Sequence, residues 1–123
     1  MWEVTKSFYF DAAHTLSGTT LGAVAEEVHG HSFRVEVGVE GVPDPTTGMV
    51  LDLGKLDVAV AGIRKRLDHK LLNNINALGK PTLENLARYI CGELSAVGPI
   101  SRVTIYRDSC GESCTYRPVD QPR

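Results

Sequence analysis

The sequence predicts an α+β fold in which a four-stranded antiparallel sheet carries two helices on one face. Two stretches near the N-terminus alternate apolar and polar residues with the two-residue period of a strand. Two later stretches repeat apolar residues at helical spacing, and two short alternating stretches follow them. The predicted order is therefore strand, strand, helix, helix, strand, strand, and placing both helices on one face of the sheet buries a common core.

The first two predicted strands are long. One spans residues 2–13, where Lys6 interrupts the apolar side of the alternation, and the other runs from about His29 to Gly41. The apolar sides consist of Trp2, Val4, Phe8 and Phe10 in the first strand and of Phe33, Val35, Val37 and Val39 in the second. Residues 15–28 join the strands, and a connection of this length in a small domain is often functional.

The first helix is predicted to begin after a turn. Residues 43–48 contain Pro, Asp and Gly and form this turn, and the short apolar run 49–51 is a candidate extension of the sheet. Asp52 is the expected N-cap, because its carboxylate can accept from a free backbone N–H of the first turn. The helix is expected to end near residues 67–69. Its apolar positions are Leu53, Leu56, Val60, Ile63 and Leu67.

The second helix is predicted after a loop over residues 70–81. Thr82 is its expected N-cap, and Gly98–Pro99 is expected to end it. Its apolar positions are Leu83, Leu86, Ile90 and Leu94. Two short strands are predicted to follow, over residues 102–107 and 114–117.

Size and composition limit the functional classes. The 123 residues suggest a single domain with a frayed tail over about residues 118–123. The net charge of −2 leaves no electrostatic footprint for nucleic acid, and no apolar run approaches the length of about 20 residues that a membrane span needs. The N-terminus lacks the segments of a signal peptide, and the odd number of cysteines favours reduced thiols, so we expect a cytoplasmic protein. The cysteines are Cys91, Cys110 and Cys114.

Three of the four histidines share strand faces with apolar residues. His29 and His31 stand two residues apart at the start of the second strand, and His14 has the parity of Phe8 and Phe10 in the first. Neutral imidazole nitrogens are common zinc ligands, and three protein ligands leave a fourth position open, as catalytic zinc sites do. These residues predict a zinc site, although each histidine is also compatible with an ordinary core or surface role.

Four motifs occur in order along the chain. They are Phe-x-Ala-Ala-His at Phe10–His14, His-Gly-His at His29–His31, Leu-Asp-His-x-x-Leu-Asn at Leu67–Asn73 and Pro-Thr-x-Glu-Asn-Leu-Ala at Pro81–Ala87. Together they resemble the 6-pyruvoyltetrahydropterin synthase and 6-carboxytetrahydropterin synthase family, from about Phe8 to Tyr116. The resemblance implies the tunnelling fold, in which the sheets of a trimer join into a barrel, usually stacked as a homohexamer. It also implies active sites between subunits that hold zinc and a pterin.

The resemblance assigns roles to individual residues. The three histidines would hold zinc, which acts as a Lewis acid on the side-chain hydroxyls of the substrate. Asp68 and His69 match an aspartate–histidine pair that assists proton transfer, and without the other motifs this pair would indicate a helix C-terminal cap. Thr82 matches a position near the pterin, in addition to its role as an N-cap.

The chain departs from the family at the position of the catalytic cysteine. Ala25 stands four residues before His29, and no cysteine lies between His14 and His29. Glu26 stands three residues before His29, and in this respect the chain resembles a branch of the family in which a glutamate replaces the cysteine. Members of that branch cleave dihydroneopterin triphosphate to 6-hydroxymethyldihydropterin, a folate precursor. Glu27 is an adjacent alternative, and both acids are also compatible with a solvated loop.

A second departure concerns the carboxylate that clamps the pterin. Asp108 follows the third strand, where the family usually has a glutamate, and Glu112 is a nearby alternative anchor. The resemblance thus implies a zinc-dependent lyase acting on 7,8-dihydroneopterin triphosphate, with 6-hydroxymethyl-7,8-dihydropterin as the favoured product. One alternative is a 6-carboxytetrahydropterin synthase of deazapurine biosynthesis, and another is a pterin- or purine-binding homologue with altered catalysis.

Overall fold

The computed structural model describes residues 1–16 and 27–118. Its elements are β1 (Trp2–His14), β2 (His29–Gly41), α1 (Leu53–Leu67), α2 (Leu83–Leu94), β3 (Arg102–Arg107) and β4 (Glu112–Tyr116). This order of strands and helices confirms the predicted one. Apart from Pro118, the predicted frayed tail lies outside the described residues. None of the helices in the described ranges has the length and hydropathy that crossing a membrane requires.

The four strands form one antiparallel sheet in the order β1-β2-β3-β4. β1 and β2 pair along their full length, from Trp2 opposite Gly41 to His14 opposite His29. β2 also pairs with β3, and β3 with β4. The long pairing of β1 and β2 places the start of β2 beside the end of β1, so residues far apart in the chain meet at one end of the sheet.

Both helices cover the same face of the sheet and bury its apolar residues. α1 packs on β1, whereas α2 packs on β3 and β4. The buried strand residues are Phe8, Phe10, Ala12, Phe33, Val35, Val37, Val39, Val103 and Ile105. The helices add Leu56, Val60, Ile63, Leu67, Leu86, Ala87, Ile90, Cys91 and Leu94 to the same cluster. Full burial of a large apolar side chain stabilises by about 1.5–3 kcal/mol, so this cluster is the main term that holds the helices on the sheet.

The two helices begin where the sequence predicts. Asp52 Oδ1 accepts from the backbone N–H of Gly54 at 2.8 Å, and Thr82 Oγ1 accepts from that of Asn85 at 3.2 Å. Each side chain therefore satisfies one of the N–H groups that a helix start leaves without an acceptor.

The predicted end of the second helix is wrong. α2 ends at Leu94 and does not reach Gly98–Pro99. The hydroxyl of Ser95 donates to the carbonyl of Gly92 at 2.7 Å. This bond satisfies a carbonyl of the last turn, so the helix can end before the residues that would have broken it.

The proposed sheet extension over residues 49–51 is also wrong. Their backbone belongs to the preceding turn, because the N–H of Asp44 donates to the carbonyl of Met49 at 2.9 Å and the N–H of Met49 donates to Thr47 Oγ1 at 3.2 Å. Val50 and Leu51 instead pack against the core as side chains. Local turn hydrogen bonds outcompete strand pairing for this short run.

The fourth strand begins two residues earlier than predicted and ends one residue earlier, spanning Glu112–Tyr116. A single 3-10 turn over Asp108–Cys110 follows β3, and Gly111 then adopts a left-handed φ of 66°. Glycine reaches this conformation without steric cost, so the chain reverses within four residues and pairing resumes at once.

Candidate metal centre and active site

The register of β1 and β2 brings His14, His29 and His31 together. His14 ends β1 directly opposite His29, and His31 lies opposite Ala12. Ring centroids are 4.5 Å apart for His14 and His29, 5.0 Å for His14 and His31, and 4.8 Å for His29 and His31. The structure therefore joins the three histidines that the sequence singled out.

Two backbone carbonyls set the orientation of two of these rings. The Nδ1–H of His14 donates to the carbonyl of Pro81 at 2.9 Å, and the Nδ1–H of His29 donates to the carbonyl of Glu27 at 2.9 Å. A carbonyl can only accept, so each Nδ1 carries the proton and each Nε2 of the neutral ring keeps a lone pair. The two Nε2 atoms are 2.9 Å apart. Two acceptors at this distance repel unless a proton or a metal cation lies between them.

The third ring, that of His31, also presents a free nitrogen. Its Nε2 is buried and has no hydrogen-bond partner within the described ranges. Burial, and secondarily the charge of Arg107, lowers the pKa of His31 to about 4. Burial also lowers the pKa of His14. These two rings are therefore neutral at pH 7, which is the form that binds metals.

The residues present fit a zinc ion. One nitrogen of each histidine lies within 4.8 Å of the others, and two of the rings are oriented by carbonyls, as is usual around metal-bound histidines. Ligands at about 2.0–2.1 Å in a tetrahedral site are about 3.3 Å apart, which small ring movements can reach from this arrangement. Three imidazoles, with no fourth protein ligand among the described residues, match the donor set of a catalytic zinc site.

Asp68 and His69 form the predicted pair directly after α1. His69 Nδ1 lies 3.1 Å from Asp68 Oδ2. Asp68 Oδ1 accepts from the backbone N–H of Asp11 at 2.9 Å, and the N–H of His69 donates to the carbonyl of Asp11 at 2.6 Å. The backbone N–H of Asp11, followed by His69 and Arg64, lowers the pKa of Asp68, so its carboxylate is charged at neutral pH.

His69 is held in an unusual backbone conformation. Its φ of 59° is the only positive value outside glycine among the described residues. A side chain in this region is uncommon, and such residues concentrate at functional sites. Asp68 also forms the C-cap of α1, donating its N–H to the carbonyl of Arg64. Asp68 therefore caps the helix and also holds the His69 imidazole, whereas the role of the pair in proton transfer stays a prediction.

One open hollow of about 570 Å³ connects this pair to the histidine cluster, since His31 and His69 both line it. Asp11 and Ser32 line the same hollow. The His69 side chain is 79% exposed. A molecule seated in the hollow can therefore reach both His31 and His69.

A second hollow of about 610 Å³ lies at the start of α2 and contains Thr82, Arg107 and Glu112. Glu112 Oε1 is 3.2 Å from Arg107 Nη2. Arg107 is a candidate site residue that the motifs did not indicate. Its position in the sequence could have identified it, because Arg107 follows Val103 and Ile105 at two-residue spacing and so lies on the apolar side of β3.

The structure does not bring Asp108 to this site. Its carboxylate accepts from Arg34 Nε at 2.9 Å and from Arg34 Nη2 at 3.1 Å, and its side chain is 61% exposed. The guanidinium of Arg34 also stacks on Tyr106, 3.8 Å from the ring centre. Arg34 and Tyr106 have the strand parity of the face opposite the helices. Glu26 lies outside the described residues, and Glu27 is exposed.

Comparison with known proteins agrees with the geometry. Residues 3–119 match the family described as 6-pyruvoyl tetrahydropterin synthase. The 6-carboxy-5,6,7,8-tetrahydropterin synthase of Synechocystis is 35% identical over 103 residues, covering 80% of this chain and 78% of that protein. The dihydroneopterin monophosphate aldolase of Pyrococcus furiosus is 44% identical over 81 residues. That alignment covers 66% of this chain and 64% of the aldolase, just under two thirds of its length.

Solved structures share the fold over nearly the whole chain. The Caenorhabditis elegans 6-pyruvoyl tetrahydropterin synthase has a TM-score of 0.79 and 27% sequence identity, with 95% of each chain covered. A Plasmodium vivax 6-pyruvoyltetrahydropterin synthase, solved as a variant with its catalytic glutamate replaced by alanine, has a TM-score of 0.72 and 18% identity. At that identity the Plasmodium structure shows the fold alone.

Proposed function

The chain belongs to the 6-pyruvoyl tetrahydropterin synthase family, and from this we propose that it is a zinc-dependent lyase that shortens the side chain of a dihydroneopterin phosphate. The favoured product is 6-hydroxymethyl-7,8-dihydropterin. The observation that carries the proposal is the cluster of three imidazoles whose nitrogens converge within 4.8 Å. The triphosphate is the substrate predicted from the sequence, and the name of the Pyrococcus relative adds the monophosphate as a second form to test.

His14, His29 and His31 would hold the zinc ion, which when bound acts as a Lewis acid toward oxygens of the substrate side chain. The carbonyls of Pro81 and Glu27 keep two of the rings in the tautomer that presents Nε2. Because these carbonyls belong to the backbone, both acceptors are kept when a side chain such as that of Glu27 is replaced.

Asp68 and His69 would move protons. Asp68 holds Nδ1 of the imidazole, so Nε2 is left to exchange a proton with the substrate in the hollow that His31 also lines. The negative charge of Asp68 stabilises the imidazolium that forms when His69 accepts a proton. The backbone contacts to Asp11 hold both residues in place during this exchange.

The proposed cleavage is a retro-aldol reaction. A base removes the proton of the 2′-hydroxyl, a carbonyl forms at C2′, and the bond between C1′ and C2′ breaks. The electron pair of that bond passes into the dihydropterin ring, and an acid then returns a proton to C1′. The products are 6-hydroxymethyl-7,8-dihydropterin and a two-carbon aldehyde that keeps the phosphate, so atoms and electrons balance without an oxidant.

Glu26 is the proposed partner of His69 in this proton transfer. It directly precedes Glu27, whose carbonyl bonds to the His29 ring, so it adjoins the metal centre in the sequence. The family resemblance, which includes a branch with a glutamate in the place of the cysteine, supports a carboxylate at this position. Glu27 remains the alternative base.

We assign the pterin anchor to Glu112 in preference to Asp108. Glu112 shares a hollow with Thr82, whereas both oxygens of Asp108 are occupied by Arg34. A free carboxylate oxygen is needed to accept from the amino group and ring N–H of a pterin. Asp108 then has a structural role in pairing with Arg34.

Product analysis tests this proposal. The zinc-loaded protein is incubated separately with dihydroneopterin triphosphate and with the monophosphate, and the pterins are separated by chromatography. We expect 6-hydroxymethyldihydropterin, and loss of its formation in Glu26→Ala but not in Glu27→Ala. Formation of 6-carboxytetrahydropterin would instead support the activity named for the Synechocystis relative. Binding of pterin without turnover of either substrate would contradict a catalytic function.

A further inference from the structure

Arg107 is a charged side chain on the buried side of the sheet. It follows Val103 and Ile105 at strand spacing, and both of these are fully buried. Alternation along β3 therefore directs Arg107 toward the helix-covered face. Its side chain is only 15% exposed. A cation in such surroundings is costly unless it is paired, so its partners indicate its role.

The guanidinium of Arg107 has one filled and one empty position on the same edge. Nη2 lies 3.2 Å from Glu112 Oε1, whereas Nε is buried and has no acceptor in the part of the chain that the structure describes. Arg34 shows the filled arrangement, because its Nε and Nη2 donate to both oxygens of Asp108. An acceptor that reached Arg107 Nε would therefore relieve an unsatisfied buried donor.

The ion pair of Arg107 and Glu112 lies in the hollow at the start of α2. Arg107, Glu112 and Thr82 line the hollow together. The hollow adjoins the metal centre, because Pro81, whose carbonyl accepts from the His14 ring, directly precedes Thr82. A substrate that reaches the histidines from this hollow lies against Arg107 and Glu112.

The pair offers an acceptor beside a donor. Glu112 presents carboxylate oxygens, and the adjacent Arg107 presents an N–H. A lactam, with a ring N–H next to a carbonyl, has the complementary order, and a pterin carries such an edge at N3 and C4. We propose that Arg107 determines substrate specificity: its Nε donates to the 4-oxo group of the pterin while Glu112 accepts from the neighbouring ring N–H. This proposal rests on the proposed function.

A 4-amino analogue reverses this pattern. Its amino group places a donor against the N–H of Arg107, and its ring nitrogen at position 3 has no proton for Glu112. Arg107 Nε and the second oxygen of Glu112 then gain no partner from the ligand in a partly buried site, and sites built around hydrogen bonds discriminate strongly against such analogues. The pair should therefore select oxo-pteridines over amino-pteridines.

Binding of two matched compounds tests the proposal. 6-Hydroxymethylpterin and 2,4-diamino-6-hydroxymethylpteridine differ only at position 4, and their dissociation constants can be measured at neutral pH by fluorescence titration of the zinc-loaded protein. We expect wild type to prefer the oxo compound by about 10-fold or more. Arg107→Gln should reduce this ratio to near one, mainly through weaker binding of the oxo compound. Arg88→Gln, which changes an exposed arginine of α2, should keep the wild-type ratio.

The ratio of the two constants, measured within one variant, does not depend on the fraction of folded protein. Arg107→Lys keeps the charge but lacks the planar fork, so part of the preference should remain. A wild-type ratio near one, or an Arg107→Gln ratio equal to that of wild type, overturns the role of Arg107 and leaves the proposed lyase activity standing. If neither compound binds to wild type, the pterin site itself is wrong and both proposals fail.

Discussion

At the scale of single residues, the chemistry of the site depends on which nitrogen of each histidine is free. The backbone carbonyls of Pro81 and Glu27 accept hydrogen bonds from the Nδ1–H groups of His14 and His29. The two Nε2 lone pairs consequently face each other at 2.9 Å, and the buried Nε2 of His31 has no partner within the described ranges. Such an arrangement is stabilised by a shared cation, which gives the sequence-based zinc prediction a physical basis.

Metal content tests this arrangement. Wild type should bind about one zinc per chain, as measured by elemental analysis after dialysis. His31→Ala should lose most of it, because two imidazoles hold zinc far less tightly than three. His69→Ala is the matched control and should keep the metal. Full retention of zinc in a His29→Ala/His31→Ala double variant would place the metal elsewhere.

Asp68 is expected to act through His69. Asp68→Asn keeps an acceptor for the N–H of Asp11 but removes the charge that stabilises the imidazolium. We expect kcat on the dihydroneopterin phosphate to fall by about 10²–10⁴-fold with little change in KM. Arg64→Gln, which removes another partner of the same carboxylate, should stay within a few-fold of wild type. Unchanged kcat in Asp68→Asn would rule out this positioning role.

The same carboxylate makes stability depend on pH. Its hydrogen bond from Asp11 lowers the pKa of Asp68 in the folded protein. A carboxyl group of this kind stabilises the fold above its unfolded pKa of about 4, and the contribution is lost as pH falls through the lower folded pKa. The Tm difference between wild type and Asp68→Asn should therefore be present at pH 7 and shrink below about pH 4. A difference that persists unchanged at low pH contradicts this origin.

At the scale of elements, the ends of strands and helices assemble the site. The pairing of β1 with β2 places His14 opposite His29, and the end of α1 places Asp68 and His69 next to the backbone of Asp11. The start of α2 supplies the carbonyl of Pro81, just before its N-cap. Each element therefore contributes through a terminus, where backbone groups are free to bond outside the element.

Thr82 connects helix stability with the site. Thr82→Ala removes the side-chain acceptor for Asn85 N–H and should destabilise the fold by about 0.5–2 kcal/mol, measured by urea unfolding. Thr82→Ser should restore most of this. Asp52→Ala removes the corresponding cap of α1, away from the proposed pterin hollow, and is the control for a purely structural effect.

The two caps should differ in ligand binding. If Thr82 contacts the pterin as the family resemblance implies, Thr82→Ala weakens the binding of 6-hydroxymethylpterin whereas Asp52→Ala does not. Equal affinity in both variants would restrict Thr82 to its role as an N-cap.

At the scale of the whole molecule, the sheet has two outer strands. In the described part of the chain β1 pairs with no strand other than β2, and β4 with none other than β3, although the last residues of β1 also bond to the segment after α1. Each outer strand thus presents backbone N–H and C=O groups that another chain can pair with. This supports the expectation of a homo-oligomer, a trimer or hexamer with active sites between subunits.

Light scattering at micromolar concentration tests the assembly. The mass should be three or six times the chain mass of 13.4 kDa. Activity should fall on dilution below the dissociation range, because the proposed active sites lie between subunits. A monomer that retains full specific activity would contradict shared sites.

Much of the fold follows from local patterns. The alternation in β1 and β2, the helical spacing of the apolar residues and the caps Asp52 and Thr82 all appear in the structure where they were predicted. The errors concern the end of α2, residues 49–51 and the limits of β4. At these places a single side-chain or turn hydrogen bond, such as that from Ser95 to Gly92, decides the boundary.

The sequence by itself determined the order of elements, the choice of the three histidines and of the Asp68–His69 pair as candidates, and the family. Each of these can be recognised from the types and the spacing of residues. Only the tertiary structure decided how the two carboxylates are paired, since both oxygens of Asp108 accept from Arg34 whereas Glu112 pairs with Arg107 through one oxygen and shares a hollow with Thr82. It also revealed the unsatisfied Nε of Arg107. Pairing between distant residues depends on strand register and face, which no local pattern encodes.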